Sequence, residues 1–390
     1  MQLSELQESI RGTIREYLER EIEPLVHEME AERLLPFEPI RKMAKDLGLG
    51  AGGEINQMIR DSAPEEQLKL FVPRVLAIEM ARVCAGMGLA HGASLGLCAG
   101  NILSKGTPEQ KERWAVPILK FEKIGCWGLT EPGAGSAAIR DMQSRAVRDG
   151  DHYVLNGSKT FITNAPYADT FVIFARLKDE SGGKDRVEGF ICERGDPGLE
   201  TGKPLHKMGF RSSPTGEVFL SDCRIPADRL LGGNSSGPRS NVKERLSRER
   251  IGLQAICYGI MERAFEIALK YARERKQGGH VIGQYQLVQR RIARMYMALA
   301  NCRAYVFADF LQGRRQDLST ADVSVGKLYV AEMASQVCTD AVHILAGNGY
   351  MEEYVVERLY RDAKLIELGG GTTEIQELTA GKWLVESYPL

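Results

Sequence analysis

Several features that would settle a protein's class at a glance are missing from this chain of 390 residues. Charge of one sign is absent: 51 basic and 52 acidic residues leave a formal net charge of -1. Nucleic-acid and membrane-surface proteins depend on a strong basic field, so this balance speaks against both. No apolar run approaches the about eighteen residues that a membrane span needs. The opening, MQLSELQESIRGTIREYLEREIEPL, carries acids early and has no apolar signal core, so no secretion signal is expected. Eight cysteines, at 84, 98, 126, 192, 223, 257, 302 and 338, stand singly and form no CxxC. They read as reduced, mostly buried thiols of a cytoplasmic or organelle-matrix protein. Six dispersed histidines outline no metal site. There is no internal repeat and no low-complexity linker. The length itself allows a large core and two or three domains.

Three textures follow one another along the chain. Residues 1–120 read as helical, with REYLEREIEPLVHEME and PFEPIRKMAKDLG punctuated by Pro36 and Gly48. In TPEQKERWAVPIL, Thr107 is the expected N-cap and Pro108 the first helical residue. Residues 121–234 read as a β domain. HYVLNGSKTFITNAPYADTFVIFARL alternates β-branched and aromatic residues, and its Asn156-Gly157 pair predicts a hairpin turn. Residues 235–390 return to helices, and long ones. One stripe runs Leu253, Ile256, Ile260, Ala264, Ile267, Tyr271. A second runs Val288, Ile292, Met295, Leu299, Cys302, Val306, Phe310 and ends near Gly313. Ser319 is the expected N-cap of a third helix, and the whole reads as an up-and-down four-helix bundle.

Chemistry concentrates in a few stretches. In CWGLTEPGAGSAAIRDM, the small residues from Glu131 to Ser136 let backbone N–H groups and a hydroxyl approach a phosphate or a flat ring. A glycine-rich turn alone is more often only a turn. Taken with NGSKTFITNA and KMGFRSSPTGEVFLSDCRIP, it resembles the middle domain of the acyl-CoA dehydrogenase family. RERIGLQAICYGIMERAFEIALKYARERKQGGHVIGQYQLVQ and AVHILAGNGYMEEYVVERLYRDAK resemble the same family's C-terminal half.

The resemblance implies an α+β, mostly α fold: an N-terminal helical domain, a β-barrel-like middle domain and a C-terminal four-helix bundle. It implies FAD between the last two, a tetramer, and electron-transfer flavoprotein as acceptor. Carried over by position, Leu129, Thr130, Gly135 and Ser136 line flavin and acyl-CoA. Phe161 replaces an aromatic, usually Trp, packed along the flavin, and Thr163 sits near its N5. An ordinary core aromatic is the plain alternative for Phe161. Arg275 resembles an arginine that reaches the pyrophosphate, and Gln286 matches a position near FAD. Gln277-Gly278-Gly279 stands where the family has Gln-Phe-Gly. His343 and Gly347 lie in a loop, HILAGNG, that a neighbouring subunit lends to the cofactor; a solvated helix-end histidine is the alternative for His343. Thr372 and Glu374 follow the terminal glycines and complete the implied cofactor set.

Those glycines depart from the pattern. Most of the family reads Tyr-Glu-Gly-Thr where this chain has Gly369-Gly370-Gly371-Thr372. The family glutamate removes the α-proton of the acyl-CoA while hydride leaves the β-carbon for the flavin. Gly370 has no base to offer, and proton abstraction needs one, although its amide can still polarise the thioester carbonyl. Isovaleryl-CoA and long-chain dehydrogenases also show a small residue here, and take the glutamate from the first bundle helix. Here that pair is Glu249-Arg250, which makes Glu249 the candidate base. A solvated helix-start residue is its plain reading. Leu246, Arg250, Gly370 and Gly371 are expected beside the acyl group; Glu367 and Glu374 are placed beside the pocket rather than in it. A glutamate restored at Gly370 is expected to recover activity if the backbone there tolerates a Cβ.

Missing side chains at the glycine run predict a cavity for a branched or cyclic acyl group, unless Met87 or Leu95 fills it. The substrate expected is short to medium and uncharged. Gly88 stands where glutaryl-CoA relatives place an arginine, and an unpaired buried carboxylate is costly. His91 is read as a polar contact at a helix bend. Two alternatives remain: a redox-neutral relative catalysing β-elimination, and a non-catalytic flavoprotein of the same fold.

Overall fold

The computed structural model describes residues 3–49, 65–178, 184–233, 242–307 and 318–388. The first part of the chain is helical because polar caps and apolar stripes coincide. α1 (Glu5–Tyr17) starts at a capping box made by Ser4 and Gln7, and α2 (Phe37–Asp46) lies between Pro36 and Gly48. α3 (Glu65–Gly92) kinks at Cys84, where φ is -150° and ψ is 88°. Thr107 caps the next short helix with Pro108 at its first position, as its sequence predicts.

The middle of the chain folds into a seven-stranded sheet in the order β1-β4-β2-β3-β7-β6, with β5 also paired to β4. Its strands are β1 (Gly125–Gly128), β2 (Arg145–Asp149), β3 (His152–Thr163), β4 (Thr170–Leu177), β5 (Arg186–Glu193), β6 (Leu199–Thr201) and β7 (Thr215–Pro226). The Asn156-Gly157 turn does not exist. β3 runs straight through the pair, and the hairpin with β2 closes instead at Gly150-Asp151. Asn156 and Gly157 make a bulge: the register against β7 shifts there, and φ at Gly157 is 146°. Asn156 accepts from the Asp222 N–H at 2.8 Å and donates to the Asp222 carboxylate at 3.0 Å. A cross-strand partner took the side chain that would have stabilised a turn.

Among the described residues five α-helices follow: α4 (Val242–Glu274), α5 (Gln286–Val306), α6 (Thr320–Leu345), α7 (Val356–Leu368) and α8 (Thr373–Ser387). Ser319 caps α6 as expected, accepting from the Asp322 N–H at 3.1 Å. The first predicted stripe lies on α4 and faces the core, and the second lies on α5 as far as Val306. Phe310 and Gly313 fall outside the described residues.

α1, α3 and the bundle share one hydrophobic core, which runs from Ile10 through Phe71 and Ile260 to Ile366. α3 and α4 approach so closely that a Cβ at Gly259 would collide with the Ile78 carbonyl oxygen. Arg82, almost fully buried, ties the same pair together through Glu79 at 3.1 Å, Glu262 at 3.0 Å and Glu266 at 2.6 Å. The sheet has its own core around Phe171 and Phe190. A third cluster, with Leu129, Ala138, Met142 and Phe174, joins it to the helices and packs against Leu246 of α4.

Candidate active site

The site grows from the start of α4. Leu246 anchors that end of the helix to the sheet cluster that holds Leu129. One turn on come Glu249 and Arg250, and Arg250 reaches the opposite wall, the turn between α7 and α8. Arg250 is buried, and its Nε donates to the Gly370 carbonyl at 3.2 Å. From α6, buried Lys327 donates through Nζ to the Gly371 carbonyl at 2.7 Å. Gln376, in the first turn of α8, adds Nε2 bonds of 3.1 Å to both carbonyls. Thr372 caps α8 and accepts from the Ile375 N–H at 3.4 Å. Three side chains therefore hold two carbonyls, while the N–H groups of Gly370 and Gly371 have no acceptor among the described residues.

Only glycine fits this turn. φ is 66° at Gly370 and 93° at Gly371, in the left-handed region that L side chains avoid. A Cβ at Gly370 would lie 2.5 Å from Leu253 Cδ1, and one at Gly371 2.6 Å from Gln376 Nε2. The expected cavity is thus narrowed by Leu253, one turn beyond Glu249 on α4, rather than by Met87 or Leu95. Nor does the backbone tolerate a restored glutamate without strain.

Glu249 is half-buried and has no hydrogen-bond partner among the described residues. Burial raises its carboxyl to about 7, against the opposing pull of Arg250 and Lys327. Burial lowers Lys327 to about 8, and lowers the Arg250 guanidinium as well. Glu367 is occupied elsewhere, accepting from the Ser335 hydroxyl and, at 2.6 Å, from Lys364. Glu374 points to solvent in the first turn of α8. His91 differs from its expectation: its ring stacks on Phe121 at 5.7 Å, and burial lowers it to about 4.

Across the Leu246 contact lies the sheet face. Gly133 and Gly135 border open space, with no atom within 4 Å of a Cβ built on either, and Ser136 is exposed. Lys159, fully buried, underpins this turn with bonds to the Leu129 carbonyl at 3.2 Å and to Glu131 at 2.8 Å. Phe161 is no core aromatic. It sits on a second bulge of β3 at φ 58°, with 69% of its surface exposed. Thr130 and Thr163 flank it, half-buried, and neither hydroxyl bonds within the described residues. An open glycine turn, a bare aromatic ring and two unengaged hydroxyls suit a flat polar ligand.

Arg275, Gln277, Gln286, His343 and Gly347 stand apart. At about 1.5 Å per residue, α4 carries the chain roughly 39 Å from Glu249 to Arg275. All five are exposed at that far end, where Asn348 donates to the Tyr271 hydroxyl at 2.9 Å and joins the segment after α6 to the last turns of α4. His343 bonds back through Nδ1 to the Thr339 carbonyl at 2.9 Å. Among the described residues no hydrogen bond, ion pair or ring contact joins this set to the first. Lys327, Gln376 and Lys159 carry no expectation from the sequence, while Leu253 is read there only as a core-stripe residue and Glu131 only as the start of the glycine-rich turn. Lys327 had a signal: it is the only cation between Ser319 and Glu332, flanked by Val325, Gly326, Leu328 and Tyr329.

Models of the acyl-CoA dehydrogenase N-terminal, middle and C-terminal domains match residues 4–122, 126–223 and 239–385. The chain belongs to the acyl-CoA dehydrogenase family, FAD-dependent oxidoreductases that act on a CH–CH bond. Among its relatives is the short-chain specific acyl-CoA dehydrogenase of Clostridium acetobutylicum, 37% identical over 96% of this chain and 97% of that one. Mitochondrial isovaleryl-CoA dehydrogenase of Pongo abelii is 33% identical over 97% and 89%. The butyryl-CoA dehydrogenase structure from Megasphaera elsdenii superposes with a TM-score of 0.87 at 31% identity, covering 99% of this chain and 100% of that one. No helix among the described residues is long and apolar enough to cross a membrane.

Proposed function

We propose that this enzyme desaturates an acyl-CoA between the α- and β-carbons to give the trans-2-enoyl-CoA, with Glu249 as the base. The observation that carries this reading is a half-buried carboxyl without an internal partner, next to a turn whose carbonyls are held and whose N–H groups are free. The two amides, with Arg250 and Lys327 behind them, suit a thioester carbonyl oxygen that gains negative charge as the α-proton leaves. Glu249, poised near neutrality, ionises without a large cost and accepts that proton. FAD, when bound, supplies the acceptor for the β-hydrogen and its electron pair. Leu129, Thr130, Gly135, Ser136, Phe161 and Thr163 would hold it on the sheet side, with Thr372 and Glu374 next to the glycine turn.

The far set, Arg275, Gln277, Gln286, His343 and Gly347, would serve a neighbouring copy's cofactor, a reading supported by their exposure and by the lack of any contact with the first set among the described residues. That supports a homo-oligomer, with a tetramer as the state proposed. Electron-transfer flavoprotein is the proposed acceptor. The acyl group proposed is uncharged and short to medium, with branching tolerated away from Leu253. Gly88 offers no cation to a distal carboxylate.

The test is Glu249→Gln. The FAD-loaded variant is expected to bind acyl-CoA normally but to lose anaerobic flavin bleaching by about 10²–10⁴-fold. Near-normal bleaching would move the base elsewhere, and turnover of a β-substituted acyl-CoA without any bleaching would favour elimination. Initial rates with isobutyryl-, isovaleryl-, cyclohexanecarboxyl-, octanoyl- and glutaryl-CoA would rank the acyl pocket. Highest kcat/KM for glutaryl-CoA would overturn the uncharged assignment.

A further inference from the structure

Lys327 sits where no sequence motif called for it, and its surroundings are unusual. It is 1% exposed and lies on α6, whose neighbouring residues are apolar, yet no carboxylate bonds it among the described residues. Its one short bond, 2.7 Å, goes to the Gly371 carbonyl, and a longer contact of 3.5 Å goes to the Glu367 carbonyl. A buried ammonium without a bonded counter-ion is costly to keep. It is held against a turn whose two N–H groups are free and whose neighbour across the site is an unpartnered carboxyl.

We propose that Lys327 is a positioning residue for α-proton abstraction: it clamps the Gly370–Gly371 turn in its amide-presenting conformation and holds positive charge beside Glu249. This rests on the reading of Glu249 as base. The clamp acts through geometry, since Lys327, Arg250 and Gln376 together bond the two carbonyls and so hold the peptide planes that carry the two N–H groups. The charge acts through the field. Besides Glu249, the titratable groups around Lys327 are Arg250 and Cys257 on α4 and Glu367 on α7, with Glu374 of α8 within its reach. Burial pushes the Cys257 thiol well up, so it stays neutral, and Glu367 is engaged by Ser335 and Lys364. Arg250 and Lys327 are thus the two cations that favour the ionised form of Glu249.

The step can be read apart from electron transfer. An acyl-CoA with sulfur in place of the β-carbon has an acidic α-proton and no β-hydrogen to give up. In D2O the base removes the α-proton and returns a deuteron, so mass spectrometry counts abstraction alone. In the FAD-loaded enzyme, Lys327→Met is expected to move the acid limb of exchange up by about one pH unit and to lower its plateau by about tenfold or more. Affinity for the CoA thioester stays near that of the parent. Lys327→Arg, which keeps the charge, is expected to keep the acid limb in place while losing plateau rate. If Lys327→Met does not fold, Lys327→Gln keeps a donor for the Gly371 carbonyl without the charge, and its acid limb is expected to move alike. An unmoved limb in the neutral variants, or an equal shift in Lys327→Arg, would overturn the proposal. Full exchange in Glu249→Gln would sink the base assignment instead, whatever Lys327 does.

Discussion

Two turns flank the site, and each has a buried lysine beneath it. Under the middle-domain turn, Lys159 donates to the Leu129 carbonyl at 3.2 Å and meets Glu131 at 2.8 Å. Glu131 also accepts from the N–H groups of Gln143 at 2.6 Å and Ser144 at 2.9 Å. Burial works to raise its carboxyl, but these bonds hold it below its usual range. Under the C-terminal turn, Lys327 donates to the Gly371 carbonyl, and neither it nor Arg250 bonds a carboxylate among the described residues. A neutralised turn gives a rigid floor with no net field, which suits a ligand held by shape and by backbone N–H groups. A turn left positive favours a ligand that gains negative charge. On the function proposed above, the same structural device would serve binding in one place and chemistry in the other.

The largest expected effect breaks the first turn. Lys159→Met leaves Glu131 as a buried carboxylate without a counter-ion and is expected to destabilise the apoprotein by about 3–5 kcal/mol. Lys327→Met leaves no bonded carboxylate behind and is expected to cost about 1–3 kcal/mol, through the Gly371 carbonyl it abandons. Denaturant unfolding of both variants checks the contrast, and equal losses would erase the distinction between the two turns.

Next comes Gly370→Glu in the Glu249→Gln background. It places a side chain at φ 66° against Leu253. A left-handed residue costs about 1–2 kcal/mol and overpacking typically about 1–3 kcal/mol, so lower stability and no recovery of bleaching are expected. Recovered activity would mean that the turn can rearrange, and the clamp would lose its meaning.

The charge at the second turn also fixes a pH profile. Glu249 must be ionised, so kcat/KM is expected to rise with pH through about 7. Lys327 must be protonated, so the rate is expected to fall as pH climbs past about 8. A profile flat from pH 6 to 9, in roughly these bounds, would deny both groups their roles. The smallest effect tests the binding floor. Phe161→Ala removes a ring that is 69% exposed, so apoprotein stability is expected to change by less than about 0.5 kcal/mol. FAD affinity is expected to fall about tenfold, the scale of one lost aromatic contact. Fluorescence titration of the apoprotein with FAD reads this directly, and unchanged affinity would remove Phe161 from the flavin face.

The helical, β, helical order was legible from periodicity and caps, because Ser319, Thr107 and the α4 stripe act through neighbours within a few residues. The family resemblance, through motifs that keep their order along the chain, also pairs the missing base at Gly370 with a candidate at Glu249, which stands as the proposal made above. The Asn156-Gly157 pair was misread because its side chain answers to Asp222, a strand away. Leu253 looked like one core residue among six; only packing set its methyl against Gly370. Lys327 is remote in sequence from both Glu249 and the glycines. The crossing of α6 with α4 and α7 brings it to them. Local propensity and motif belong to the chain alone, since they depend on adjacent residues. Charge balance, burial and the filling of space at this site arose only when distant helices packed, because each is a sum over neighbours that the linear order does not contain.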